Sequence, residues 1–261
     1  MDILYHYDGS FEGFLSCVFD SYAYKEIPAE ICPGGDAEMT LFDCRTVPTD
    51  PGHAGRVLRK VAALSPEAAV LLRRGFLTCL PGKELYLYRL VAKLLREGPG
   101  FLRDRSDETL YPVVKAVQHL NGEVHLLKGF VRFSDLDGFL VGEIEPKNRV
   151  LPLLGSHFAG RFSGEKLALH DRTHKETLLC AGGQWTIVPT EEFSLGRAGE
   201  EESAFRALWR SYFKTIAIEG RTNPKCQSTH LPKRYRHMMT EFQSPEEKGE
   251  DNALVFPAFL G

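Results

Sequence analysis

Apolar positions along the chain change period twice, and each change marks a change of structure. Ile3 to Tyr7 is a short apolar run that reads as a strand, followed by a turn at Asp8-Gly9 and a helix capped by Ser10. In that helix Phe11, Phe14, Leu15, Val18, Phe19 and Tyr22 recur at helical spacing, so one face is predicted to pack inward. Cys32-Pro33-Gly34-Gly35 reads as a loop and Thr40 to Val47 as a second strand.

From Asp50 the period becomes helical. Asp50-Pro51 and Ser65-Pro66 each pair an N-cap with a proline at the first helical position, which predicts two helices. A third is expected from about Gly82 to Glu97, with Leu87, Leu90, Val91, Leu94 and Leu95 on its core face and Gly98-Pro99-Gly100 ending it. A fourth starts near Ser106 and carries Leu110, Val113, Val114, Val117 and Leu120.

Beyond Lys128 the runs shorten to strand length: Phe130 to Phe133, Phe139 to Glu145, Lys166 to Asp171, Thr177 to Cys180 and Gln184 to Val188. Turns at Asp135 to Gly138 and at Gly182-Gly183 imply antiparallel neighbours. Leu151 to Phe162 reads as a helix between two of these strands, and Glu200-Glu201-Glu202 opens another, since carboxylates favour the positive end of the helix dipole. The expected fold is therefore α+β: an antiparallel sheet with a helical layer and a C-terminal helical segment. The domains are expected as 1–128, 129–243 and a tail 244–261, with 1–243 as one continuous domain the alternative. The tail is either loose or a strap over the core.

Composition limits the function classes. With 261 residues and 43% apolar content the chain can bury a large core, and a net charge of -3 excludes a globally basic protein. Affinity for phosphate must then come from local clustering. The amino terminus lacks a secretory pattern and no apolar run is long enough to span a bilayer, so the expectation is a cytoplasmic protein with no membrane contact. Six scattered cysteines without a Cys-x-x-Cys pair fit reduced, packed thiols, and neither a metal site nor a cofactor is readable.

Local clustering of charge does occur. On the helix opening near Glu202, Phe205, Leu208, Trp209, Tyr212, Phe213 and Ile216 form one stripe, expected to be core. Arg206, Arg210 and Lys214 form another, and Glu202 is placed to pair with Arg206. Arg221, Lys225, Lys233, Arg234, Arg236 and His237 follow, with Glu219 and Glu241 the only acids between Arg206 and Phe242. A helix beginning at Pro232 is expected to bury Tyr235, Met238, Met239 and Phe242. Cations on rigid elements, with Asn223 and Gln227 nearby as hydrogen-bonding groups, suit phosphate contact. A charged solvated surface is the alternative.

Several segments resemble a bacterial family assigned to DNA metabolism or repair, which includes domain of unknown function 4130. The resemblance is carried by Leu208-Trp209-Arg210-Ser211-Tyr212-Phe213, by Ile218 to Pro224, by Gln227 and by Leu231-Pro232-Lys233-Arg234-Tyr235. Tyr7 to Phe14, Lys128 to Phe133, Glu145-Pro146 and His157 to Phe162 extend it over most of the chain. It implies DNA as a partner and a companion radical-SAM protein that modifies or repairs DNA. A similar domain is fused elsewhere to a uracil-DNA glycosylase-like domain. This chain has neither a glycosylase domain after the shared region nor a radical-SAM cysteine triad, and Arg236 stands where the family commonly has an aromatic residue.

The leading expectation is a DNA-binding accessory whose Arg210, Lys214, Arg221, Asn223, Lys225, Gln227, Lys233, Arg234 and Arg236 hold nucleic acid for a radical-SAM or glycosylase-type partner. One alternative is an enzyme acting on DNA through a cleft containing His157, His170 or Asp171, although no catalytic constellation is complete. The other is a protein adaptor without DNA contact. Two smaller features have structural readings beside functional ones. Phe130 and Arg132 could form a base-stacking platform or belong to the core, and Cys226 could be reactive or simply structural.

Overall fold

The computed structural model describes residues 3–34, 43–136, 138–191, 193, 200–216, 223, 225, 228–229 and 231–243, apart from the side chains of residues 200 and 214. The chain divides into two compact units, Met1–Asn121 and Gly122–Gly261. The architecture is α+β, with a sheet in each unit.

In the first unit β1 (Ile3–Tyr7) lies between β2 (Pro28–Pro33) and β3 (Asp43–Thr46), and both pairings are parallel. Helix α1 (Phe11–Tyr24) connects β1 to β2, as parallel neighbours require. Ser10 caps it by accepting from the Gly13 amide at 2.9 Å, while Asp8 accepts from both the amide and the hydroxyl of Ser10. Strand β2 departs from the expected loop at Cys32-Pro33. Its prolines lie at the two ends of a strand on the sheet edge, where a missing N–H costs little, and within it Ile31 packs into the core, too weak a pattern to announce a strand.

The helical layer follows the capping signals closely. Asp50 accepts from Gly52 and His53 to start α2 (Pro51–Leu64), and Ser65 accepts from Ala68 to start α3 (Pro66–Phe76). Helix α4 (Lys83–Glu97) begins after Gly82, whose φ of +62° favours glycine. Helix α5 (Leu110–Phe130) starts later than expected, because Asp107 rather than Ser106 caps it, accepting from the Thr109 and Leu110 amides while its other oxygen meets Lys93. Phe14, Leu72, Leu87, Leu90, Leu94 and Leu110 are fully buried among these elements.

In the second unit the strand order is β4-β5-β6-β7-β8, with β4 at Ser134–Leu136, β5 at Phe139–Ile144, β6 at Lys166–Asp171, β7 at Glu176–Ala181 and β8 at Gln184–Pro189. The expectation of a wholly antiparallel sheet needs correction, since β5 and β6 run parallel. Helix α6 (Leu151–Arg161) crosses between them and returns the chain to the same end of the sheet. The other three pairings are antiparallel, and Gly182 and Gly183, with φ of +57° and +75°, make the tight turn between β7 and β8. Phe130 to Phe133 is not a strand. Helix α5 continues through Phe130, and Val131 adds one more helical hydrogen bond to Leu127, because four residues of apparent alternation are too few to override the stripe Leu120, Val124, Leu127.

After the sheet come α7 (Glu200–Ile216), the short α8 (Lys233–Arg236) and a 3-10 turn at Thr240–Phe242. Among the described residues no helix is long and apolar enough to cross a membrane. Helix α6 packs over β7 and β8 through a close approach at Gly155, where a Cβ would lie 2.5 Å from the Trp185 ring. An indole cannot fold away as a leucine tip can. Gly155→Ala should therefore lower stability by about 1–3 kcal/mol despite the higher helix propensity of alanine, measured as a lower urea midpoint. In a Trp185→Leu background the same change should cost less; an equal cost in both backgrounds would exclude the contact.

Candidate nucleic-acid interface

The second unit holds most of the candidate residues, organised by two buried carboxylates. Glu123 lies on α5 between Leu120 and Leu127, on the face those leucines share, and its side chain is 2% exposed. Its oxygens accept from the Lys147 amide (3.1 Å), the Asn148 amide (2.9 Å), the Asn148 side-chain amide (2.6 Å), Arg234 (2.9 Å) and the Tyr235 hydroxyl (3.3 Å). Arg234 also donates to the Tyr235 hydroxyl, and Phe130 packs on the Tyr235 ring at 5.7 Å. This cluster joins α5, the turn after β5 and α8. Alongside it His237 meets Glu145 at 3.0 Å, and Glu145 meets Arg172 at 3.5 Å.

Glu241 forms the second centre, with its side chain 2% exposed. Arg132 donates to both its oxygens, at 2.7 and 3.2 Å, and the Trp209 indole N–H donates at 3.1 Å. Desolvation pushes the Glu241 carboxyl upward, but the hydrogen bonds from Arg132 and Trp209 and the Arg132 charge outweigh it and hold it below the ordinary range. The Arg132 guanidinium lies 5.8 Å from the Trp209 ring centroid, and Phe242 makes an edge contact with Phe213 at 5.5 Å.

These two centres reassign the expected roles along α7. The stripe expected to be core is on the surface: Phe205 is 64% exposed, Leu208 65%, Tyr212 53% and Ile216 54%, and Trp209 is 40% exposed. Phe213 is half-buried. The physical reason is that, among the described residues, the main packing of α7 is against β4 and the Thr240–Phe242 turn, too little surface to cover a whole helical face. In the Pro232 segment Tyr235 and Met239 are buried as expected, but Phe242 is exposed and the helix is a single turn.

Several cations, by contrast, are already engaged. Arg206 pairs with Glu202 at 2.7 Å, as its spacing predicts, and reaches the Ser134 hydroxyl. Arg234 is bound to Glu123, while Arg236 donates to the Leu231 carbonyl at 3.3 Å and lies over the Phe242 ring at 5.3 Å. Arg210, Lys225 and Lys233 form no ion pair with a described residue; Arg210 is half-buried and the two lysines are exposed. Asn223 is exposed. Arg221 and Gln227 lie outside the described residues, as do Cys226 and the side chain of Lys214.

Between the aromatic stripe and the Glu241 centre lies a cavity of about 470 Å³. Phe133, Phe205 and Trp209 supply its aromatic walls, Arg132 and Arg206 its cations, and Glu202 and Thr240 its further polar groups. Its size lies within the range of small-ligand pockets. A planar ring could stack on these aromatics and take hydrogen bonds from the same walls.

The alternative catalytic residues are built into local structure. The β6–β7 turn is organised by Asp171, which is fully buried, accepts from the Thr173 and His174 amides and meets the His174 ring at 2.7 Å. His170, the neighbouring residue on β6, faces the opposite side of the sheet, where it bonds Thr177 at 3.0 Å and stacks on Phe193 at 4.3 Å. Its desolvated ring titrates below the usual histidine range. His157, on α6, is also shifted down, by desolvation and then by the charges of Lys128 and Arg161, and its buried Nε2 has no hydrogen-bond partner among the described residues. Among the described residues no group of three or more His, Cys, Asp or Glu is placed to hold a metal ion.

Glu123 and Glu241 are absent from the sequence-based candidates. For Glu123 a signal was present: one acid interrupting the apolar stripe Val113, Val117, Leu120, Val124, Leu127 on α5. Glu241 had a fainter one, as an acid within a strongly basic stretch.

Comparison with known families gives one match. The family model described as a domain of unknown function (DUF4130) covers residues 81–241, which include α7, α8 and both buried glutamates. No curated protein matches the chain.

Two measurements test this geometry. Replacing Arg234 by alanine should lower stability by about 1–2 kcal/mol, less than for a fully buried pair because Arg234 is 42% exposed and Glu123 keeps its amide donors. Unchanged stability would return Arg234 to the set free for phosphate. Glu241 has a depressed folded-state pKa, so its stabilisation is complete above the unfolded value near 4.3 and is lost as pH falls through the folded value. Glu241→Gln should accordingly flatten the fall in stability below about pH 5, followed by Trp fluorescence during urea unfolding; superimposable pH curves would show that the carboxylate is not held this way.

Proposed function

The chain belongs to the DUF4130 family, whose description carries no activity, and on the geometry above we propose that it binds single-stranded nucleic acid as an accessory to DNA repair or modification. One observation carries the reading: Phe205 and Trp209 are exposed beside a cavity of about 470 Å³ that also presents Arg132, Arg206 and Glu202. Every base has a π-face, so exposed aromatics hold unpaired bases with little regard to sequence, whereas a duplex hides those faces. Arg210, Lys225 and Lys233, which pair with no acid among the described residues, would take the phosphates. Among the described residues no complete set of nucleophile, base and oxyanion donors accompanies the cavity, which favours a holding role over chemistry at this site. The resemblance to proteins accompanying a radical-SAM enzyme supplies a source for the chemistry: the partner would act on the strand this chain presents.

Binding of a labelled oligonucleotide, followed by fluorescence anisotropy over a salt series, tests the proposal. Single strands should bind more tightly than the matching duplex. Phe205→Ala, which removes no described hydrogen bond, should weaken binding by about 1–3 kcal/mol, while the salt slope stays the same. Arg210→Ala should instead reduce that slope by about 0.7, the share of one phosphate contact on a single strand. Equal affinity for duplex and single strand, or full binding by Phe205→Ala, would remove the stacking site. Absence of nucleic-acid binding together with retention of a radical-SAM partner would move the exposed stripe to the adaptor reading.

A further inference from the structure

The first unit contains an apolar groove formed by three of its helices. Val18 of α1, Val61 of α2 and Val91 of α4 form the floor of this groove, which has a volume of about 410 Å³. All three are buried, so the floor belongs to the core and is rigid. Phe19, Tyr22 and Leu95 form the walls, and Tyr22 is 50% exposed. The groove is partly open to solvent rather than an enclosed cavity. Three helices with an apolar trough between them leave a place for the apolar face of a fourth.

The charge around the groove restricts what that fourth helix can be. Arg56 and Lys60, one turn apart on α2, are the charged residues that line it among the described residues. Both are exposed, and neither forms an ion pair with a described residue. Asp20 and Asp50 meet His53 at 3.7 and 3.8 Å, and neither lines the groove. His53 in turn stacks on Phe19 at 3.8 Å, which holds one wall in place.

We infer that this groove seats an acidic amphipathic helix of a partner protein, its apolar face on Val18, Val61 and Val91 and its carboxylates against Arg56 and Lys60. An apolar helix without acids would leave the two cations beside a dry interface with reduced hydration, and a basic one would be repelled. Acidic flanks on an apolar stripe satisfy both demands. The inference does not depend on nucleic-acid binding by the second unit.

Two synthetic helical peptides test it, with the same leucine face and either glutamate or lysine at the flanking positions. Titrated into the full chain and followed by anisotropy, the glutamate peptide should bind at least about tenfold more tightly than the lysine peptide at low salt. The exposed pair Arg56→Glu with Lys60→Glu should invert that preference without affecting the fold. Val57→Asp, on the groove wall, should weaken both peptides. No saturable binding of the glutamate peptide, equal binding of the two, or an unaltered preference in the charge-reversed variant would overturn the inference. Dimerisation of the chain that Val57→Asp abolishes would assign the groove to a second copy, and saturable sodium oleate binding that displaces the peptide would assign it to a small amphiphile; either overturns the partner helix.

Discussion

A carboxylate cannot be removed from water unless every lone pair it loses is replaced, and Glu123 sets that requirement at the centre of the second unit. Its side chain is 2% exposed, so the chain must bring donors to it from wherever they are available. Two backbone amides and one side-chain amide come from the turn at Lys147 and Asn148, and a guanidinium and a phenol come from Arg234 and Tyr235. The Glu145-Pro146 turn and the Leu231 to Tyr235 segment, far apart in sequence, are thereby bound to one point on α5. Their shared part in the family resemblance has a structural explanation before any functional one.

This constraint also separates two kinds of basic residue that look alike in the sequence. Arg132, Arg206 and Arg234 each balance an acid within the fold. Removing such a residue would disturb packing first and binding only as a consequence. Arg210, Lys225 and Lys233 form no ion pair with a described residue, so removing one of them should disturb the fold less. The aromatic residues divide in the opposite direction. Tyr235 is consumed by the core, while Phe205 and Tyr212 face solvent on a helix whose main packing, among the described residues, is against one small strand and one turn.

The legible parts of the fold were those whose signals are local. Ser10, Asp50 and Ser65 cap helices because a side-chain oxygen and a nearby amide settle the matter within a few residues. The sheet turn at Gly182-Gly183 is similar, since the positive φ values there favour glycine. What depended on distant partners was not legible. Strand β2 exists because β1 is there to pair with it, and the parallel alignment of β5 with β6 follows from where α6 returns the chain. Helical spacing showed that Phe205, Trp209 and Tyr212 share a face, but not whether anything covers that face. Periodicity reports which residues lie together; burial depends on the other side of the contact.

A net charge of -3 makes the distribution of work between stacking and charge consequential. A protein that binds duplex DNA through its backbone gains most of its affinity by releasing counterions from many phosphates at once. Here the two cations lining the cavity, Arg132 and Arg206, are each paired with an acid, Glu241 and Glu202. Electrostatic attraction alone would therefore be weak and easily screened. Aromatic stacking loses much less with salt and needs bases that are already unpaired, so the surface on α7 suits a strand opened by another protein better than an intact duplex. An accessory of this kind gains selectivity from the state of the strand rather than from its sequence, which matches a cavity lined by π-faces and by cations already paired with acids.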